Sequence, residues 1–251
     1  MTDCSPTPIS LAKLRLACGN CSLHELCLPV GIGLDDVDRL DRIVKRRRPS
    51  SRGDHVFRLG DEFRAVYAIR AGSVKTYTTT EGGGEQVTGF HLPGELIGLD
   101  AIHTGTHPSS AKVLETTSLC EIPFDHLEEL SAVIPSLGRQ LIRIMSREIH
   151  SDDELLTLLG KKSAEERLAA LLISLSNRLQ QRGFSAREFH LSMSRNDIGN
   201  YLGLAVETVS RLFTRFQQLG LVTANNKHIR IERLEDLRAL ATGSSSCQPR
   251  G

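Results

Sequence analysis

Residues 194–217 read SRNDIGNYLGLAVETVSRLFTRFQ, and this stretch decides the fold of the C-terminal third of the chain. Ser194 with Asp197 three residues on is a capping-box pattern, using Asp in place of Glu, that predicts a helix start. Gly203 ends that helix, and a second begins at Leu204-Ala205 and runs through Val209, Leu212, Phe213 and Phe216 to Gly220. Ile198, Leu202, Val209 and Leu212 supply the apolar contacts between the two. Two short helices joined by a tight Gly-containing turn form a helix-turn-helix, whose second helix enters the major groove of DNA. Glu207, Ser210 and Arg211 fall at i, i+3 and i+4 on that second helix and share an exposed face. Arg donates a bidentate pair to guanine, Glu accepts from the cytosine amino group, and Ser serves either way. The expected half-site therefore contains a G·C pair read by Arg211 and Glu207.

The competing reading is an ordinary Glu–Arg surface pair, and two features weigh against it. From Arg178 to Arg230 there are eight Arg and Lys against three Asp and Glu, a local excess of five positive charges. Beyond the second helix, Leu221–Thr223 and Ile229–Ile231 read as a two-stranded hairpin around Asn225-Asn226, a wing with Lys227 and Arg230 available to phosphates.

Upstream, residues 163–181 form an amphipathic helix with Ala164, Leu168, Leu171, Leu172, Leu175 and Leu179 on one stripe. Before it, Pro135 opens a longer helix whose stripe runs Leu137, Leu141, Met145, Ile149, Asp152, Leu156 and Leu159 until Gly160. Such a stripe resembles a coiled-coil seam and predicts dimerisation, against the alternative of a helix packed on its own domain. Asp152 is the anomaly, because opposite its symmetry mate it would be a repulsive pair. Residues 49–125 carry turn signals every 7–12 residues between short β-branched and aromatic runs such as Val66–Ile69 and Val74–Tyr77, the pattern of an all-β sandwich or barrel. Leu34–Ile43 has helical spacing, and a short helical piece is expected over Leu23–Leu26.

Composition bounds the rest. The chain has 251 residues, 31 Lys and Arg against 30 Asp and Glu, and 24% charged residues, values of a globular protein long enough for two domains. No run approaches the roughly 18 apolar residues of a membrane span, and residues 1–19 are polar and broken by Pro6 and Pro8, unlike a secretion signal. The expected compartment is the cytoplasm, where six cysteines read as metal or redox groups rather than as disulfides.

Three of those cysteines, Cys18, Cys21 and Cys27, stand within ten residues. Thiolate-rich sites select zinc or an iron–sulfur cluster, and both normally take four ligands. The candidates for the fourth are Cys120, Cys4, Cys247 and His24. Cys120, in a strand-like segment, is favoured over Cys4 and Cys247 in the presumptive tails, and spacing alone leaves the metal open. A catalytic role finds no Gly-rich phosphate loop and no Ser/His/Asp arrangement, and His103 and His107 lack a carboxylate partner.

With these residues in hand, the chain resembles the Crp/Fnr superfamily, and within it the FNR/ANR branch of anaerobic regulators. The resemblance runs from about Cys18 to Leu240 and rests on CGNCSLHELCLP (18–29), GFHLPGELIGLDAI (89–102), LETTSLCEIPF (114–124), SAEERLAALL (163–172) and residues 194–217. It implies an α+β chain in five parts: a Cys-rich cluster-binding segment (1–30), a β-roll of the cyclic-nucleotide-binding jelly-roll type (31–134), a dimerisation helix (135–160), a winged helix-turn-helix (161–243) and a flexible tail (244–251). It further implies that Cys18, Cys21, Cys27 and Cys120 ligate one oxygen-labile [4Fe–4S] cluster. Glu207, Ser210 and Arg211 would then read TTGAT-type palindromes in double-stranded DNA. Cluster loading would favour a homodimer, with Ile149 and Asp152 as the switch in the dimer helix, and the Thr79–Glu85 loop would meet RNA polymerase.

The chain departs from the pattern at Gly138 in the dimer helix and at the three glycines Gly82–Gly84. Relatives that bind a cyclic nucleotide clamp its phosphate with an arginine after a Gly-Glu-Leu turn. Here Gly94-Glu95-Leu96 is followed by Ser109-Ser110-Ala111, with no arginine, so no cyclic nucleotide is expected. Two other readings stand beside this one: a zinc-stabilised or thiol-redox regulator with the same DNA-binding domain, and a DNA-repair enzyme with a structural cluster. The second would need a cysteine where Leu11 stands.

Overall fold

A computed structural model of the chain describes residues 18–80 and 82–244. Cys4, Cys247 and the expected tail beyond residue 244 lie outside the described residues. Two four-stranded antiparallel sheets make the N-terminal domain. The first has the order β1 (Lys45–Arg46), β8 (Ser118–Pro123), β3 (Ala65–Ala71), β6 (Leu96–Ile97). The second runs β2 (His55–Phe57), β7 (Ser110–Val113), β4 (Val74–Thr79), β5 (Glu85–His91). Phe57, Val74 and Val113 from one sheet meet Ile69, Ile97 and Leu119 from the other in the sandwich core. The strands found agree with the turn spacing read from residues 49–125.

Three helices cover the outer face of the first sheet, which explains why β3 reads as a nearly unbroken apolar run: it is buried on both faces. They are α1 (Leu34–Ile43), α2 (Phe124–Val133) and the N-terminal half of α3 (Pro135–Lys161). Leu28, Val37, Leu40, Val66, Ile122, Leu127, Leu137 and Ile144 form the core between. The α2 helix has no counterpart in the sequence reading. It starts directly from β8 with Pro123 at its cap position and lasts only ten residues, so no turn signal announces it. Over Leu23–Leu26 the chain makes successive turns rather than a helix, and a short 3-10 turn lies just before, at Cys18–Asn20.

The α3 helix continues through Gly160 to Lys161, one residue past the expected end. A glycine in the last helical turn costs only about 1 kcal/mol, and the break falls where Ser163 caps the next helix, α4 (Ala164–Gln181). There the Ser163 and Glu166 side chains each satisfy the other's backbone N–H. After α4 come β9 (Glu188–His190), α5 (Arg195–Leu202), α6 (Val206–Gln218), β10 (Val222–Asn225), β11 (His228–Ile231) and α7 (Leu234–Thr242). The wing is a three-stranded sheet in the order β10-β11-β9 rather than a two-stranded hairpin, because β9, too short to show alternation, pairs with β11.

The third core is shared. Leu168, Leu172, Ile198, Leu202, Phe213 and Phe216 of the winged helix join Tyr77, Val87, Phe90, Leu92 and Leu114 of the β-sandwich in one apolar cluster.

Candidate cofactor thiols and DNA-reading helix

The Cys18–Leu28 segment winds through a chain of tight turns: Cys21 N–H donates to the Cys18 carbonyl (3.3 Å), His24 to Cys21 (3.0 Å) and Cys27 to Leu23 (3.0 Å). Leu28, almost fully buried against α1, anchors its end. Cys120 comes from the middle of β8, facing the α1 side of the sheet. Cys18, Cys21, Cys27 and Cys120 together line one pocket that opens to solvent, walled also by apolar side chains such as Leu23, Leu40 and Ile122, with His24 and Arg70 in its lining. All four thiols are free and partly buried. Among the described residues no three His, Cys, Asp or Glu side chains converge closely enough to hold a single metal ion.

Burial favours the protonated form of Cys18, Cys27 and Cys120. Burial, reinforced by a hydrogen bond to Asp41, pushes Cys18 up to about 12. Burial, aided by the neighbouring Cys120 and Cys21 and opposed by the Leu28 backbone, does the same to Cys27, and burial raises Cys120 against the opposing pull of Arg46 and Arg70. Metal binding at such a site must displace protons.

Two residues the sequence reading did not single out organise it. Asp41, on α1, accepts the Cys18 N–H (2.9 Å) and the Arg46 guanidinium. Burial pushes the Asp41 carboxyl up, but the hydrogen bonds from Arg46 and Cys18 hold it below its ordinary value. Arg46 in turn stands opposite Cys120 in the β1–β8 register. One carboxylate thus links the loop bearing three thiols to β1, the strand paired with the one bearing the fourth. Only the strand register brings these residues together, and no sequence motif marks it.

The second site is built as its sequence predicts. Ser194 Oγ accepts the Asp197 N–H (3.1 Å), and the Asp197 carboxylate accepts the Ser194 N–H (2.9 Å). Gly203 closes α5 in the left-handed conformation (φ 64°). Val209, Leu212, Phe213 and Phe216 bury one face of α6, leaving Glu207, Ser210 and Arg211 exposed on the other. Arg211 reaches Thr208 Oγ1 (3.3 Å) rather than Glu207, so the surface pair of the competing reading is not formed. Of the wing cations, Arg230 is exposed beside Glu232 (3.6 Å), whereas Lys227 donates to the Ser192 carbonyl (2.7 Å). Arg195, not picked out from the sequence, stacks its guanidinium 3.2 Å from the Phe213 ring centroid, next to the wing carbonyl of Asn226.

On α3 the apolar stripe is covered by the chain's own domain only over its N-terminal half. Leu137, Gln140 and Ile144 are buried on the chain's own β-sandwich. Ile142, Ile149 and Leu156, by contrast, are 67%, 63% and 68% exposed. Their spacing of seven makes them one heptad position, with Met145, Asp152 and Leu159 as its companion. Burial, then the neighbouring Asp153 and Asp100, raises the Asp152 carboxyl above its ordinary value. Where cyclic-nucleotide binders hold a phosphate, Ser109 Oγ donates to Asp100 (2.9 Å) and Ser110 Oγ accepts the Leu59 N–H (2.9 Å), a network already satisfied within the protein.

Residues 166–240 match the Crp-like helix-turn-helix domain, and residues 47–132 the cyclic nucleotide-binding domain. The chain is 57% identical over 238 residues to the transcriptional activator protein Anr of Pseudomonas protegens, covering 94% of this chain and 98% of that one. It is 52% identical over 224 residues to the fumarate and nitrate reduction regulatory protein of Escherichia coli, covering 89% and 90%. Among solved structures, FixK2 of Bradyrhizobium japonicum superposes with a TM-score of 0.73 at 28% identity, covering 79% of this chain and 97% of that one. No helix among the described residues is long and apolar enough to cross a membrane.

Proposed function

The chain belongs to the Crp/Fnr family of transcription regulators, and on that footing we propose that it is an oxygen-responsive activator which holds a [4Fe–4S] cluster and binds palindromic DNA as a homodimer. The observation that carries this reading is the convergence of Cys18, Cys21, Cys27 and Cys120 on one cavity. The donor set suits the group: four thiols, as a cluster takes, spread around a cavity rather than closed on one ion. A bound cluster would supply a tie between loop and strand that oxygen destroys. The relatives named above are transcription regulators, and the chain is not an enzyme.

The protein's own residues supply the rest. Cys18, Cys21 and Cys27 fix the loop and Cys120 the sheet, so that holding all four together restrains the segment packed beside α3. Gln140, buried on α3, donates to the Cys27 carbonyl (3.4 Å), which links the loop to the dimer helix. Ile149 and Leu156 then pack against the same residues of a second copy, opposed by Asp152. A two-fold dimer places two copies of α6 about one DNA turn apart, matching TTGAT-type half-sites read by Glu207, Ser210 and Arg211. The Thr79–Glu85 loop is the proposed contact with RNA polymerase, and the cytoplasm the proposed compartment. With no arginine at 109–111, a cyclic nucleotide has no phosphate clamp.

The test is DNA binding to a TTGAT-N4-ATCAA duplex by protein purified without oxygen, before and after air, alongside visible absorbance and iron and sulfide analysis. The expected result is a coloured protein whose binding air abolishes. A colourless protein carrying one zinc, or binding indifferent to air, would overturn the proposal.

A further inference from the structure

We infer that Glu95 is a positioning residue through which the thiol loop holds the DNA-binding domain in place. The inference rests on the proposed function and adds a route within one chain, separate from the dimer helix.

Three observations carry it. The thiol loop touches the turn that bears Glu95. A Cβ placed on Gly94 would stand 2.8 Å from Leu26 Cβ, so the loop and the turn meet where only glycine leaves room. Gly94 N–H is also fixed to the Ile69 carbonyl (2.7 Å), and Ile69 lines the thiol cavity.

Next, Glu95 is gripped by the DNA-binding domain. Arg178 Nε donates to Oε1 (3.0 Å) and Arg178 Nη2 to Oε2 (2.5 Å), a forked pair, while Arg182 Nη2 adds a bond to Oε1 (2.5 Å). The same guanidiniums take the Phe90 and Pro93 carbonyls (2.6 Å each), so the end of α4 wraps the whole 90–95 turn. The Glu95 side chain is 22% exposed and that of Arg182 only 3%. This turn corresponds to the Gly-Glu-Leu turn of nucleotide-binding relatives, and here its carboxylate is committed to the protein's own arginines.

Finally, α4 carries the reading helices at its other end. Arg167 Nη1 donates to the Leu202 carbonyl at the end of α5 (3.0 Å), and Glu165 pairs with Arg215 of α6 (2.6 Å). An 18-residue helix therefore spans from the carboxylate beside the thiol loop to the helix-turn-helix. A shift of Leu26 moves Gly94, and with it the anchor of α4.

The test compares the full-length wild type with Glu95→Gln and Lys75→Met, each loaded without oxygen and after air. Lys75 makes a comparably buried tie between the domains, to Asp197 (2.8 Å), while also holding Glu85 of its own sheet (2.8 Å), but touches no part of the thiol loop. In Glu95→Gln, visible absorbance and the sedimenting dimer should match wild type. Its loaded form should bind the duplex at least ten-fold more weakly, and the loaded-to-aired affinity ratio should shrink by the same factor. Lys75→Met should weaken both forms and leave the ratio unchanged. A wild-type ratio in Glu95→Gln, the same narrowing in Lys75→Met, or loss of absorbance in Glu95→Gln would each overturn the inference. Should Glu95→Gln fail to fold, Arg178→Lys keeps the charge, removes the fork and should narrow the ratio in the same direction. Failure of the wild type itself to take up iron and sulfide or to bind the duplex counts against the proposed function. The inference is then decided by amide hydrogen exchange: Leu26→Ala should speed exchange across 164–181, and unchanged exchange there overturns it.

Discussion

Arg211 has one side-chain contact to give up, a 3.3 Å bond to Thr208, when it turns toward a base. Replacing it with Ala should therefore remove a base contact at little cost to the fold. The expected loss is about 1–3 kcal/mol of binding, with relaxed preference at the guanine it reads, measured on duplexes varied at that position. Glu148 gives a prediction with a pH sign. Burial, then the charges of Glu95 and Asp152, against the pull of Arg178 and Arg147, push its carboxyl up to about 7 from an ordinary 4.5. The native state then binds more protons than the unfolded one between those values. This contribution to stability is present below about 4.5 and is lost as pH rises through about 7. Glu148→Gln should flatten the fall in thermal midpoint between pH 5 and pH 8, and an unchanged slope would assign that fall to other groups. At this scale the sequence was legible where function follows spacing. The candidate thiols Cys18, Cys21 and Cys27 stand within ten residues, and the candidate DNA-reading residues Glu207, Ser210 and Arg211 fall on one helical face. Cys120 was only favoured, since a lone strand cysteine is usually a small hydrophobe. Asp41 and Arg46 were invisible, because their role depends on a strand register that no local pattern encodes.

Helix by helix, legibility followed length and capping. The Ser194 box and the glycine at 203 placed α5 to the residue, and α6 followed from its apolar face. The close fit of those helices is testable: a Cβ at Gly199 would stand 2.6 Å from the Leu204 carbonyl oxygen, a backbone atom that cannot swing away. Gly199→Ala should cost about 1–3 kcal/mol as an overpacking change, read in denaturant unfolding, with DNA binding lost alongside. The α3 helix shows the limit of periodicity. Its stripe predicts one partner, but Leu137 and Ile144 meet the β-sandwich, Leu158 packs on the shared cluster, and Ile149 and Leu156 stay exposed, since hydrophobic spacing says that a face is covered and not by what. In the second half of the helix, Asp152→Ala removes a carboxylate from a heptad position otherwise held by Met145 and Leu159. The variant should dimerise without the cluster, and an apo form as monomeric as apo wild type in sedimentation would refute the seam.

For the molecule as a whole, the net charge of +1 concealed a DNA-binding half with an excess of five positive charges between Arg178 and Arg230. Fold class is readable because turns and caps punctuate the chain, while elements that carry no such signal, such as α2 and β9, are not. How the winged helix sits on the β-sandwich is not readable either, since it depends on long-range pairs such as Lys75–Asp197 and Glu95–Arg178. Cys120→Ser should leave this arrangement intact, with a wild-type unfolding midpoint for the metal-free protein, while abolishing visible absorbance.

The apolar cluster shared by the two halves bears on how freely such a regulator can be recombined. Tyr77, Val87, Phe90, Leu92 and Leu114 are as much the floor of the winged helix as part of the sandwich. A chimera joining another relative's DNA-binding domain at residue 162 would seat a foreign underside on this floor. To keep its solubility and its switch it would have to carry across the matching β4–β5 surface as well. On the proposed function, target preference is therefore exchanged more safely at Glu207, Ser210 and Arg211, three side chains facing solvent, than by grafting the domain that displays them.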